Sequence, residues 1–146
     1  MKKRASYLMA LTLVLGSCLI LWNKVSAQEI SDQTVYSEGY TEMVPYGVYL
    51  QAGRSNISKV GNGKIHASGT TFGRTTVPKI SVGVRVERLI GNAWVQQDYF
   101  SASQTNNYTV TAAKTLTVPI GYFYRVKSFH TAHTDSSSSV TEGLYI

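Results

Sequence analysis

The chain of 146 residues holds a single cysteine, Cys18, inside its one long apolar run. Everything downstream therefore lacks a disulfide, a catalytic thiol and a zinc-binding sulfur pair, unlike the cystine-dense secreted miniproteins. Histidine is scarce as well, with three residues, and only eight acidic side chains are scattered along the chain. Beyond residue 27 no stretch keeps apolar residues at helical spacing for three turns, which argues against a helical or mixed fold.

What is present begins at the head. Met1-Lys2-Lys3-Arg4 is followed by an apolar run from Tyr7 to Trp22 and then by Val25-Ser26-Ala27. A basic start, an apolar middle and a small-residue exit make a secretory signal peptide, with cleavage expected after Ala27. The run falls short of the ~18 to 20 apolar residues that cross a bilayer, so no stable membrane span is expected after cleavage. Leu15-Gly16-Ser17-Cys18 has the look of a lipobox, and an acylated Cys18 tethering the protein is the alternative. Against it, Leu19-Ile20-Leu21-Trp22 continues the apolar run where a lipoprotein turns polar. The expected location is extracellular, secreted or, in the alternative, lipid-anchored.

Without residues 1–27, 119 residues remain, enough for one domain with its own core. They carry ten basic and eight acidic side chains, a net charge of +2, so the basic character of the whole chain belongs largely to the head. All ten basic residues lie between Arg54 and Lys127, opposed there only by Glu87 and Asp98. A net positive middle suits an anionic polymer. Residues 28–45 are polar, acidic and weakly patterned, and read as a tail or a loosely attached first strand. Residues 46–146 form the expected folded domain.

That domain reads as strands. Ile80, Val82, Val84 and Val86 alternate with Ser81, Gly83, Arg85 and Glu87, the period of a sheet with one buried face. The turn dipeptide Gly91-Asn92 then leads back through Trp94 to Phe100, a hairpin. Further segments are expected at 48–51, 57–60, 64–70, 108–112, 116–118, 122–132 and 140–146, with Gly61-Asn62-Gly63 as a turn. About seven short strands at this spacing predict a single antiparallel sandwich.

Catalytic chemistry is thin. His130 and His133, three apart on a strand, point to opposite faces and cannot chelate one ion without a bulge, and His66 is remote in sequence. Nothing in their positions brings Glu87 and Asp98 together as a hydrolytic pair. Ser136-Ser137-Ser138-Ser139 lacks the glycine-flanked elbow of a serine nucleophile and reads as a flexible hairpin loop. Gly61-Asn62-Gly63 has no Lys-Ser/Thr-headed helix after it and is not a phosphate loop. No catalytic residue, metal site or cofactor is expected.

Leu116-Thr117-Val118-Pro119-Ile120-Gly121-Tyr122-Phe123-Tyr124-Arg125-Val126-Lys127 resembles the corner of immunoglobulin-like and fibronectin type III domains, where a tyrosine early in a late strand bonds back to the preceding loop. The resemblance implies that Tyr124 is that tyrosine, with Tyr122, Tyr124 and Val126 inward and Arg125 and Lys127 outward. Over its whole length the chain is also similar to a group of small exported proteins of Gram-positive bacteria. The likeness lies in Gly61-Asn62-Gly63-Lys64-Ile65, in Val84-Arg85-Val86-Glu87-Arg88 with Trp94, in Pro119 to Val126, and in Glu142-Gly143-Leu144-Tyr145-Ile146. It implies export and an immunoglobulin-like β-sandwich, and it supplies no activity.

Phe123 and Phe129 then share an outward face with Arg125 and Lys127, unless a second sheet covers it. An aromatic and basic stripe of this kind suits sugar rings, an anionic wall polymer or a protein partner, and these four residues are the candidate ligand-binding set. The reading is a non-enzymatic binding or cell-surface module for cell-wall or other anionic polysaccharide, or for an extracellular protein; no nucleic acid is expected. The alternative is a toxin-like or inhibitory effector acting on a protein partner, and a small hydrolase comes third.

Overall fold

The computed structural model describes residues 35–40 and 47–146. The signal peptide, its cleavage at Ala27 and the Cys18 alternative lie outside the described residues.

Those residues are all-β and contain no helix, so no helix is long and apolar enough to cross a membrane. Seven strands form one antiparallel sheet: β1 (Tyr36–Tyr40), β2 (Leu50–Gly61), β3 (Lys64–Ile90), β4 (Ala93–Thr117), β5 (Phe123–Ala132), β6 (Asp135–Val140) and β7 (Leu144–Tyr145). The order is β1-β2-β3-β5-β6, with β4 beside β3 and β7 beside β5. Gly63 and Gly91 take the left-handed conformation at the β2–β3 and β3–β4 turns, where a side chain would strain the backbone.

The fold turns on one long bent hairpin. β3 and β4 pair from Lys64↔Thr117 to Ile90↔Ala93, with a break between Phe72 and Val77. Pro78, which has no N–H to give a ladder, sits beside that break, and Asn106 opposite it takes a positive φ of 49°. The bend folds the sheet over itself into a nearly barrel-shaped body with two facing layers. One layer holds β1, β2, the first part of β3 and the end of β4; the other holds the start of β4, the rest of β3, β5, β6 and β7.

Between the layers lie the apolar residues that the alternation aims inward. Ile57, Ile65, Ala67, Val110 and Ala112 face Ile80, Val82, Val84, Val86, Tyr124 and Val126, all buried. Each buried Val or Ile stabilises by roughly 1.5 to 3 kcal/mol relative to exposure. Gly53 and Gly69 let the layers close: a Cβ at Gly53 would lie 2.2 Å from the His130 ring, and one at Gly69 would lie 2.6 Å from Ser128 Oγ.

Three expectations are corrected. The short segments expected at 64–70 and 80–87 belong to one strand, and so do those at 94–100, 108–112 and 116–118, because the bend preserves pairing on either side. Ser136–Ser139 is no loop: it lies in β6, paired with β5 from Ser128↔Ser139 to Thr131↔Ser136. Tyr122 is not part of the buried core; it precedes β5, is exposed, and its ring lies beneath the Arg88 guanidinium at 4.7 Å.

Candidate functional site

The outer face of the second layer gathers the aromatic and basic residues. Along β5, Tyr124, Val126, Ser128 and His130 are buried while Phe123 and Phe129 stay exposed, at 44% and 37%. Arg125 and Lys127 share this outer side, half-buried. Among the described residues no second sheet covers it.

Register on β3 supplies the neighbours. Glu87 pairs with Arg125 and Arg85 with Lys127. The Arg125 Nε donates to Glu87 at 2.7 Å, and Arg85 lies 3.7 Å from the same carboxylate, which is only 7% exposed. Arg125 also stacks on the Trp94 ring at 4.3 Å, while Arg85 and Lys127 approach the Phe129 ring at 5.1 and 5.6 Å. Phe123 meets Tyr145 edge to face at 5.1 Å. Arg125 is thus bound into the sheet on two sides, whereas Lys127 has an aromatic neighbour and, among the described residues, no acidic one.

Beside this stripe runs a shallow trough of about 330 Å³, floored by Ser81, Gly83, Ser101 and Ser103 and ended by Lys79 and Tyr99. Gly83 makes room for the Tyr99 ring, since a Cβ there would lie 2.3 Å from the Tyr99 hydroxyl. Lys79 is exposed and makes no ion pair among the described residues. The trough sits at the low end of the ~300 to 1,000 Å³ of small-ligand sites. The combined face offers four cations, Lys79, Arg85, Arg125 and Lys127, with the Glu87 carboxylate among them. Compared with known proteins, the chain matches no family model and no curated sequence.

The remaining sequence candidates are dispersed. Tyr124 is fully buried, and its hydroxyl donates to the Pro119 carbonyl at 2.7 Å. His130 is buried between Thr71 Oγ1 (2.9 Å from Nδ1) and Ser139 Oγ (2.8 Å from Nε2), and burial pushes its pKa down to about 4. Thr71 donates onward to the Ser81 carbonyl, so it accepts from His130 Nδ1–H, which leaves Nε2 to accept from Ser139. His133 lies at the β5–β6 turn against the Tyr49 ring, and His66 meets Thr115 Oγ1. No group of three or more metal-ligating side chains occurs among the described residues. Glu87 belongs to the outer face, while Asp98, paired with Val86, belongs to the inner one. Sequence reasoning missed Trp94, Glu87, Lys79 and Tyr99 as members of this face. The alternation through Lys79, Ser81, Gly83 and Arg85 could have found the two on β3, but the partners on β4 required the register.

Proposed function

We propose that the chain is a secreted, non-enzymatic, immunoglobulin-like binding module of the exported Gram-positive group it resembles, and that its outer face holds an anionic cell-wall polysaccharide. The observation that carries this reading is a sheet face, uncovered among the described residues, where Lys79 and Lys127, without an ion pair to any of those residues, stand beside the exposed rings of Tyr99 and Phe129. Sugar rings lie against aromatic faces, seryl hydroxyls along the trough exchange hydrogen bonds with ring hydroxyls, and ammonium groups attract phosphate or carboxylate substituents.

The test is retention of the purified protein on isolated wall material, with teichoic acid present and stripped, over a salt series. Retention is expected at low salt and should fall toward physiological ionic strength, where charges are screened over ~8 Å. Lys79→Glu with Lys127→Glu should abolish most of it; unlike Arg125→Ala, this pair leaves the Glu87 contacts intact. No retention at low salt on either material overturns the reading and moves the search to an extracellular protein partner.

A further inference from the structure

Among the described residues β4 is bonded on one side only. It pairs with β3 along its length and with no other strand among the described residues, so its outer edge leaves alternate backbone N–H and C=O groups free. At the opposite side of the molecule the equivalent edges shelter one another: Gly39 of β1 lies against the Val140 carbonyl at the end of β6. The bend brings the edges of both layers to the β4 side, where Asp98 and Lys114 meet across them.

Side chains occupy parts of this edge and leave a gap. The Gln97 side-chain amide donates to the Val95 and Gln96 carbonyls, and Asp98 Oδ1 accepts the Tyr99 N–H at 2.8 Å. Farther on, Asn107 Oδ1 accepts the N–H groups of Tyr108 and Thr109. Between these guards runs Tyr99-Phe100-Ser101-Ala102-Ser103-Gln104-Thr105, with no charge, proline or glycine. The Tyr99 N–H is taken by a side chain on its own strand, so it points to the open edge; by alternation those of Ser101, Ser103 and Thr105 do too.

We propose that this edge pairs with its counterpart in a second copy of the chain, antiparallel and centred on Ala102, so that Ser101 faces Ser103 of the partner. The occupant follows from charge and parity. In this register Tyr99 meets Thr105, Phe100 meets Gln104 and Ser101 meets Ser103 of the partner, and like charges placed opposite one another are destabilising; this stretch has none. Ser101 and Ser103 both present their backbone groups to the edge, so opposing them closes a hydrogen-bonded pair on each side of the axis. That two-fold axis runs perpendicular to the sheet and continues the second layer of one copy into the second layer of the other. It also turns the two outer faces the same way, so a dimer presents two polymer-binding surfaces side by side, with the gain in avidity that follows. The pairing itself does not depend on the polymer reading.

Analytical ultracentrifugation over a concentration series tests it with the purified protein and two charged variants. The parent protein is expected to sediment at twice the chain mass. Ser101→Lys with Ser103→Lys, and separately Ser101→Glu with Ser103→Glu, should each raise the dimer dissociation constant about tenfold or more. Both sites are exposed on the outer face, and far-ultraviolet circular dichroism checks that the sheet is kept. Mixing the two variants should restore the dimer, because opposite charges then face one another. A monomeric parent, variants that associate as the parent does, or a mixture that stays monomeric would each overturn the proposal. Wall retention of the unsubstituted protein, measured alongside, separates the two ideas, since a monomeric parent that still binds walls leaves the polymer reading standing.

Discussion

Lys114 holds its Nζ 2.7 Å from the Asp98 carboxylate although both residues belong to β4, 16 positions apart. Sixteen extended residues would span roughly 53 Å at ~3.3 Å each, so the contact reports how completely the hairpin folds back. Asp98 pairs with Val86 in one layer and Lys114 with Ala67 in the other, both on inward positions. The pair closes the mouth between the layers, and the lysine holds the Asp98 carboxyl below the usual aspartate range.

Closing a mouth is not the same as making the bend. Lys114 is half exposed, and exposed ion pairs contribute about 0 to 1 kcal/mol. Lys114→Ala should therefore lower stability by less than about 1 kcal/mol in urea melts, with most of the effect gone at high salt. A loss above about 2 kcal/mol would make the pair, rather than the backbone pairing, the determinant of the fold-back.

The all-β character was legible because Ile80 to Glu87 alternates so cleanly, and the outer stripe on β5 followed from the same period. The long bent strands were not legible. Thr71 to Lys79 contains Gly73 and Pro78, punctuation that normally ends a strand, and here it marks a bend that both partners share. β6 was hidden for another reason: four successive serines carry no hydrophobic period, yet Ser139 is buried because its hydroxyl meets Ser55 and His130. Local pattern reads apolar faces; it does not read a polar core.

Tyr124→Phe tests the corner. The change removes the only hydrogen the side chain gives to the Pro119 carbonyl, and an acceptor so stranded costs about 1 to 3 kcal/mol. Urea melts of the two proteins measure it directly. Equal stabilities would mean that water takes over the carbonyl and that the corner is not a stabilising feature.

Gly53→Ala tests the closeness of the layers. The added methyl would meet an imidazole that Thr71 and Ser139 hold on both sides, so the ring cannot swing away cheaply. Overpacking of this kind costs about 1 to 3 kcal/mol. Thermal melts of the variant should show the drop, and an unchanged midpoint would place the two layers farther apart.

The last prediction concerns acid. His130 is neutral in the fold, where burial lowers its pKa from 6.5 to about 4, while the unfolded chain takes up its proton near the ordinary value. Stability from this residue is therefore full above pH 6.5 and is lost as the pH falls from there toward 4, in total about 3 kcal/mol. Asp135 acts lower down. Its carboxylate accepts the N–H groups of Leu50 and Tyr49, which hold its pKa below the usual aspartate range, so its contribution fades only as the pH falls through that range and beneath it. Urea melts between pH 7 and pH 4.5 should consequently show a falling midpoint in the parent protein and a much flatter one in His130→Gln, whose amide does not titrate. Parallel curves for the two would mean that His130 keeps its proton in the fold, and that the hydrogen-bond direction assigned to Ser139 is reversed.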